Sequence, residues 1–360
     1  MQYQPIYGEH ILDGGISNTK IRKGSTMRAL RFQEICGTFS SIFKKRGVFL
    51  RMSRNPSILF KKGTLWDKLT KATEHALSIG ALLQIPTGHE YVQDRGVAFF
   101  VRSLTSLSLK DEERKRQQEE KEQDRRVDPF LPCEKDLFVA DVSESHLAVL
   151  NKYNVVEQHL LIVTREFEDQ ETLLTRRDFE ALWACLLEYN GLGFYNGGEA
   201  AGASQAHKHL QVVPLPLAPE GPQVPIEPLL ATVKFMEGAG VITKFPFLHV
   251  FVRLDADSFE SSADAAERTF GFYCDMLLHA GLKAPSGDRP ERQSGPYCLL
   301  VTREWMLLVP RSREFFEGVS INSLGFAGAL LVRNEVQMRI LKERGPMTAL
   351  KSVGLPPRDI

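Results

Sequence analysis

Residues 195–214 read YNGGEAAGASQAHKHLQVVP, a run of small residues followed by alternating polar and apolar ones. In a β-strand, successive side chains point to opposite faces, so His207, His209 and Gln211 share one face. Leu210 and Val212 then point into a core. A strand that presents two imidazoles and a carboxamide on one face indicates a polar cleft. The pattern therefore predicts a strand that carries the functional site.

The small residues before this strand indicate an anion-binding loop. Gly, Ala and Ser side chains leave backbone N–H groups free to point at a phosphate. A neutral imidazole beside such a loop is a nucleophile that faces an electrophilic phosphorus atom. The loop is not a Walker loop, because GxxxxGK[ST] is absent. It is not a dinucleotide fingerprint either, because Gly191 and Gly193 lack the third glycine.

Two other interpretations of the histidine pair stay open on the residues alone. His207 and His209 could hold a metal, with His159 or His146 as the third ligand. No carboxylate stands at a spacing that would orient such ligands, and the amide of Gln211 is a poor ligand, so no metal site is predicted. The pair could also be structural histidines on an amphipathic strand, which leaves the glycine-rich loop unexplained.

The composition narrows the class of protein. The chain has 360 residues, of which 43% are hydrophobic and 25% charged, as in folded proteins with a sizeable core. Lys plus Arg and Asp plus Glu number 45 each, so no global field attracts nucleic acid or anionic lipid. The five cysteines include no CxxC pair, which argues against a disulfide scaffold and a cysteine-rich zinc site. No apolar run approaches the roughly 18 residues of a membrane helix. We expect a cytoplasmic protein without membrane or nucleic-acid partners.

Three segments are predicted along the chain. Residues 1–51 are basic and read as a disordered or non-native extension or, alternatively, as an organellar transit segment. Residues 52–216 and 217–360 each contain two apolar strands around a polar turn, which is the pattern of an antiparallel hairpin (146–164 and 297–309). A glycine-rich element and another strand follow each hairpin. The order predicts two related α+β halves.

Other segments give simpler predictions. Periodicity predicts a helix that ends near Gly80 and a strand over Val97–Leu104. The run Lys110–Arg126 is almost entirely charged, has no apolar stripe and reads as a solvated helix or loop. Six prolines between Pro214 and Pro228 indicate a crossover between the halves.

The string Gly-Ala-Ser-Gln-x-His-Lys-His-Leu-Gln resembles the diadenosine tetraphosphate phosphorylases, or ATP adenylyltransferases, of the transferase branch of the histidine-triad superfamily. The resemblance extends over Met52–Gly354 through motifs in the same order, which are Asn151-Lys152, His159-Leu-Leu-Ile-Val-Thr-Arg-Glu-Phe, Arg303-Glu-Trp-Met, Pro310-Arg311-Ser312-Arg313 and Asn322-Ser-Leu-Gly-Phe-Ala-Gly. It implies two histidine-triad-like halves with antiparallel sheets flanked by helices. Only the first half carries the nucleophile, since Ala327-Gly-Ala-Leu-Leu-Val stands in its place in the second.

The resemblance also implies a reaction, the reversible phosphorolysis of diadenosine tetraphosphate to ADP and ATP. His209 would attack the α-phosphorus, release ATP and carry AMP until inorganic phosphate takes it. Its Nδ1–H would be held by a backbone carbonyl, and His207 would order the loop and strand. Gln211, in place of the third histidine of the hydrolase branch, would bind phosphate oxygens without supplying a proton. A divalent cation (Mg or Mn) would accompany the polyphosphate.

A larger set of residues is implied to contact the nucleotide and its phosphates. They are Lys110, Asn151, Lys152, Asn196, Gly202, Ala203, Ser204, Gln205, Gln211, Asn322, Ser323, Leu324 and Arg333. Two rival functions remain. One is a sugar-phosphate nucleotidyltransferase of the same superfamily, although no feature demands a sugar. The other is a nucleotide-binding regulator with a vestigial site, although His207, His209 and Gln211 are all present.

Overall fold

The computed structural model of the protein describes residues 58–104, 128–236, 239–287 and 289–358. The chain divides into Met1–Met52 and Ser53–Ile360, and every described residue belongs to the second unit. The basic extension 1–51 and the charged run Lys110–Arg126 lie outside the described residues. Within the described ranges, no helix is long and apolar enough to cross a membrane.

Seventeen strands and six helices are used below. The strands are β1 (Leu83–Gln84), β2 (Thr87–Asp94), β3 (Val97–Leu104), β4 (Phe138–Asp141), β5 (His146–Leu150), β6 (Tyr153–Asn154), β7 (Leu160–Thr164), β8 (Gly191–Gly197), β9 (His209–Pro214), β10 (Val233–Met236), β11 (Ala239–Ile242), β12 (Val250–Arg253), β13 (Tyr297–Val301), β14 (Trp305–Pro310), β15 (Phe315–Phe316), β16 (Val319–Ser320) and β17 (Ala329–Val332). The helices are α1 (Leu65–Ser78), α2 (Arg176–Leu186), α3 (Ser262–His279), α4 (Ser323–Phe326), α5 (Glu335–Arg344) and α6 (Pro346–Val353).

A ten-stranded antiparallel sheet forms the centre of the fold. Its strand order is β10-β11-β12-β14-β13-β8-β9-β7-β5-β4. Both predicted hairpins are present, as the β5–β7 pair and the β13–β14 pair. β8 pairs with β13, so strands from both parts of the chain lie in one sheet. The α+β class with antiparallel strands flanked by helices is confirmed, while the domain boundary at 216/217 stays a prediction.

The last strand of the predicted repeat lies in different places in the two halves. β9 pairs with β7 inside the large sheet, whereas β17 pairs in parallel with β3 in a three-stranded sheet with β2. The reason is that both edges of the second hairpin are taken, because β8 lies beside β13 and β12 lies beside β14. No edge of that hairpin is left for β17.

The sheet separates two apolar cores, as alternating side chains require. Leu210 and Val212 of β9 pack in the core on the side of α2 and α3, as predicted. Phe194 of β8 packs on the opposite side with residues of α4 and α6. α2 packs closely against β8. A Cβ added at Gly193 of β8 would lie only 2.7 Å from Leu182 Cδ1 of α2, so the glycine permits this approach.

A buried ion network fixes the start of β9 to the start of α2. The Lys208 side chain is fully buried, and its Nζ lies 2.8 Å from Asp178 Oδ2 and 3.2 Å from Glu168 Oε2. Asp178 also accepts from His146 Nε2 at 3.0 Å and completes the capping box of α2 with Thr175. Burial raises the pKa of Asp178, but Lys208 and His146 outweigh burial and hold that pKa below its usual range.

Lys208→Met is expected to lower the free energy of unfolding by about 3–5 kcal/mol at pH 7, because Asp178 would keep a buried charge without its ammonium partner. Urea unfolding measures the loss. Lys71→Met is the matched control, because Lys71 pairs with Asp67 at the surface and should change stability little. If Lys208→Met and Lys71→Met unfold at the same urea concentration, the buried ion network does not stabilise the start of β9.

Candidate active site

Two histidine rings lie on one face at the start of β9. His209 is the first residue of the strand, and His207 precedes it in an isolated bridge with Asp169. Both rings lie against Phe130, with centroid distances of 5.6 Å for His207 and 5.5 Å for His209. The predicted common face is therefore present, although the regular strand begins at His209 rather than at His207.

The His209 ring has one engaged nitrogen and one open nitrogen. Nδ1 lies 2.8 Å from the carbonyl oxygen of His207, which can only accept, so Nδ1 carries the proton. Nε2 has no hydrogen-bond partner in the described part of the chain. Burial lowers the pKa of His209 to about 4, outweighing its backbone hydrogen bond. At pH 7 the ring is neutral, with a lone pair on Nε2, which is the form a nucleophile needs.

The His207 ring is engaged at both nitrogens. Nδ1 lies 2.7 Å from Asp128 Oδ2, and Nε2 lies 2.8 Å from the carbonyl oxygen of Thr164. The rings of Phe130 and Phe167 pack against it. His207 is therefore held in place with both nitrogens engaged, whereas His209 has one nitrogen open to a ligand.

Gln211 belongs to a chain of three polar side chains. Asn151 Nδ2 lies 3.1 Å from His159 Nδ1, and His159 Nε2 lies 2.9 Å from Gln211 Oε1. With the amide of Asn151 as donor, His159 carries its proton on Nε2 and donates it to Gln211 Oε1. The NH₂ group of Gln211 is then turned away from His159 and can donate to a ligand. His159, which the sequence left open as a metal ligand, instead orients Gln211.

The loop before β9 uses some of its N–H groups internally. Gly202 has a φ of 87°, and a Cβ there would lie 2.8 Å from Asn322 Cβ, so only glycine fits. The N–H groups of Gly202 and Ala203 donate to the carbonyls of Glu199 and Gly198 and close the turn. The N–H groups predicted to face a phosphate are therefore better supplied by residues 204–206, whose backbone N–H groups donate to no acceptor within the described ranges.

The second part of the chain lies against this loop. Asn196 Oδ1 accepts from Ser323 N at 3.0 Å and from Ser323 Oγ at 2.6 Å. Asn322 Oδ1 accepts from Leu324 N at 3.0 Å and caps α4. The structure therefore brings Asn196 and 322–324 together as predicted. Both Asn196 and Ser323 are buried, so their mutual hydrogen bonds order the site.

Three predicted binding residues have no contact described above with His209, Gln211 or the loop before β9. Lys110 lies outside the described residues. Lys152 Nζ pairs with Glu134 Oε1 at 2.8 Å, so a phosphate would have to compete with that carboxylate. Arg333 follows β17, which pairs with β3 outside the large sheet.

Sequence reasoning missed a buried arginine under the loop. Arg311 donates to the carbonyls of Ala201 and Ile321 at 3.1 and 2.7 Å, and to that of Val353 at 3.2 Å. No carboxylate pairs with it among the described residues, and its guanidinium is surrounded by carbonyl oxygens, the Cys298 sulfur and the Phe326 ring. A cation with this surrounding favours an anion at the loop. The signal was present in the Pro310–Arg313 motif, but the sequence assigned it no role.

The chain matches two domain models of one family. The Ap4A phosphorylase N-terminal domain matches residues 55–232, and the ATP adenylyltransferase C-terminal domain matches residues 243–356.

Two curated proteins of Saccharomyces cerevisiae are similar in sequence. Diadenosine 5',5'''-P1,P4-tetraphosphate phosphorylase 2 is 28% identical over 271 residues, which cover 68% of this chain and 79% of that protein. Protein APA1 is 27% identical over 237 residues, which cover 58% and 69%.

Solved structures of yeast Ap4A phosphorylase Apa2 share the fold. The crystal structure matches with a TM-score of 0.67 at 24% identity and covers 84% of this chain and 97% of that one. The complex with Ap4A matches with a TM-score of 0.64 at 23% identity and covers 84% and 100%.

The buried state of His209 predicts an unusual titration. Because the folded pKa is about 4 and the unfolded pKa is about 6.5, the unfolded chain binds the proton first and stability falls as the pH drops from 6.5 through 4. NMR of ¹⁵N-labelled histidines, with His209→Gln to assign the signal, should show a neutral Nδ1–H ring at pH 7 and a midpoint near 4. A midpoint at 6.5 or above contradicts the buried neutral ring.

Proposed function

The chain belongs to the Ap4A phosphorylase (ATP adenylyltransferase) family of nucleotidyltransferases, and we propose that it catalyses the reversible phosphorolysis of diadenosine tetraphosphate to ADP and ATP through an adenylyl group on His209. The observation that carries the proposal is the His209 ring, whose proton is held on Nδ1 while Nε2 has no partner in the described chain. Substrates are nucleotides and inorganic phosphate.

The first step forms one bond and breaks one. The lone pair of His209 Nε2 attacks the α-phosphorus, and the bond from that phosphorus to the bridging oxygen of ATP breaks. The ring then carries AMP on Nε2 and keeps its proton on Nδ1, so the adenylyl ring is cationic. The carbonyl of His207 accepts from Nδ1 in both states and stabilises the positive charge as it develops.

The second step returns the ring to its neutral form. An oxygen of inorganic phosphate attacks the same phosphorus, the P–N bond breaks, and ADP leaves. No base is needed, because phosphate is already anionic near pH 7. In the reverse direction, ATP attacks the adenylyl group and regenerates the dinucleotide.

Gln211 supports the choice of phosphate over water as acceptor. Its Oε1 accepts from His159 Nε2, so its NH₂ is the end that can reach a phosphoryl oxygen. A carboxamide donates a hydrogen bond but takes up no proton at neutral pH. Water needs a base to attack well, whereas phosphate does not.

An apolar patch beside His209 supports an adenosine site. Phe130, Leu147, Val149 and Val163 line a shallow cavity on the face of the sheet that carries His209. Apolar and aromatic side chains are suited to a flat base. We assign one adenine of the dinucleotide to this patch.

The divalent cation is proposed to arrive bound to the polyphosphate. Within the described ranges, no three His, Cys, Asp or Glu side chains converge to hold a metal. Mg²⁺ or Mn²⁺ is proposed to enter the site as part of the substrate. Cytoplasmic placement and the alternative transit role of residues 1–51 stay predictions.

His209→Ala is expected to lower kcat by several orders of magnitude while dinucleotide binding persists, because the covalent pathway is removed. Protein incubated with radiolabelled dinucleotide without phosphate should carry acid-labile label in the wild type and none in the variant. Retention of more than a few per cent of activity contradicts the assignment. If the wild type binds nucleotide but never carries label, the protein is a nucleotide-binding regulator with a vestigial site. If only a sugar phosphate removes the label, the protein is a sugar-phosphate nucleotidyltransferase.

Gln211→His is expected to raise the ratio of AMP to ADP formed from the dinucleotide at saturating phosphate, because an imidazole can accept a proton from water. Chromatography of the products measures the ratio. Gln223→His, which changes a glutamine bonded to Asn190 at the surface, is the control and should leave the ratio unchanged. An unchanged ratio in Gln211→His would limit Gln211 to positioning.

A further inference from the structure

The side chain of Gln170 bridges the backbone of the nucleophile. Gln170 Oε1 accepts from the His209 backbone N–H at 2.8 Å. Its Nε2 lies 3.3 Å from the His209 carbonyl oxygen and 2.9 Å from the Asn196 carbonyl oxygen. One buried carboxamide therefore meets both backbone polar groups of His209 and one of β8.

The bridge stands where two strands separate. β8 and β9 pair as far as Phe194 and Gln211, and their pairing stops there. Residues 206–208, which precede β9, pair instead with the segment 168–170, through Gln170 N to Ala206 O and Lys208 N to Glu168 O, both at 2.7 Å. His209 lies at the junction of these two neighbours. Gln170 supplies the peptide-like donor and acceptor that a strand would provide there.

The orientation of this carboxamide is determined by its surroundings. A backbone N–H can only donate and two carbonyls can only accept, so Oε1 and Nε2 cannot exchange places. Gln170 itself is held by its backbone, whose carbonyl accepts from the Tyr195 hydroxyl. The side chain is almost fully buried, so water does not replace these bonds.

We propose that Gln170 is a positioning residue that sets the backbone of His209 and thereby the place of its Nε2 relative to the α-phosphorus. The inference rests on the proposed function in that His209 is the attacking group. Displacing a reacting atom by about 1 Å can cost about 100-fold in rate, whereas ground-state binding depends on many other contacts. A carboxylate at position 170 would also place negative charge against two carbonyls and near the imidazole.

The test compares three variants at position 170 with one remote control. Gln170→Met removes the bonds at similar volume, Gln170→Asn keeps an amide that is one methylene too short, and Gln170→Glu adds charge. His249→Leu is the control, because buried His249 also bridges a backbone N–H (Ile242) and a backbone carbonyl (Phe247), beside β12 and four strands from β9. It should lower stability comparably without touching the site.

Dinucleotide affinity by calorimetry and the single-turnover rate of protein adenylylation are measured without phosphate. Gln170→Met is expected to bind within about threefold of the wild type and to adenylylate about 100-fold more slowly. Gln170→Asn should slow the same step and stands in if the Met variant does not fold. His249→Leu should adenylylate within about threefold. An adenylylation rate in Gln170→Met and Gln170→Asn close to the wild type, or an equal loss in His249→Leu, overturns the proposal.

NMR titration of the His209 ring tests the role of Gln170 without relying on the adenylylation reaction. The ionisable groups around the junction are His207, Asp128, Asp169, Glu171 and Arg292, with Lys208, Glu168 and Asp178 in the buried network. Gln170→Glu should raise the His209 midpoint above its value in the wild type and in Gln170→Met, since a nearby carboxylate stabilises the imidazolium. If the wild type never carries AMP, the proposed function is overturned but the role of Gln170 is not. The NMR measurement then tests Gln170 by itself. Unchanged ring ¹⁵N shifts of His209 in Gln170→Met, together with an unshifted midpoint in Gln170→Glu, overturn the positioning role of Gln170.

Discussion

The proposed chemistry depends on the hydrogen bond from His209 Nδ1 to the carbonyl of His207, because this bond decides which nitrogen carries the lone pair. A free imidazole can carry its proton on either nitrogen. Nε2 can attack only while the proton is on Nδ1. Here the acceptor belongs to the same short segment, two residues away, so strand geometry itself selects the tautomer. Burial adds the second condition, a ring that is neutral at physiological pH.

The surrounding structure keeps that short segment in one place. On one side of β9, the His207 ring is fixed between Asp128 and Thr164. The intervening Lys208 is anchored in the opposite core by Asp178, which also starts α2. His209 therefore follows two fixed side chains that point in opposite directions. Burial of these charges costs desolvation, and the ion pairs fix the direction of the Lys208 side chain.

Much of the site was predictable because its decisive features are local. The period of two in a strand predicted the common face of His207 and His209 and the burial of Leu210 and Val212, as the structure has them. The hairpins followed from the same short-range pattern. The loop was predicted as an anion site, but composition could not tell that Gly202 and Ala203 close the turn with their own N–H groups.

The remaining features depend on contacts between distant parts of the chain. Gln170 and His209 are 39 residues apart, and His159 and Gln211 are 52 apart, with no periodicity that relates them. Likewise, β17 pairs with β3 because both edges of its own hairpin are occupied, which depends on the whole sheet. A glutamine within a polar loop gives no sign in the sequence that it will bridge a strand junction.

The most direct measurement concerns the ring nitrogen that carries the adenylyl group. Protein with ¹⁵N-labelled histidine, incubated with the dinucleotide and without phosphate, can be followed by ³¹P–¹⁵N coupling. The geometry predicts one phosphoramidate, at Nε2 of His209, with the proton still on Nδ1. A phosphoramidate at Nδ1, or on any other residue, would contradict the tautomer on which the account depends.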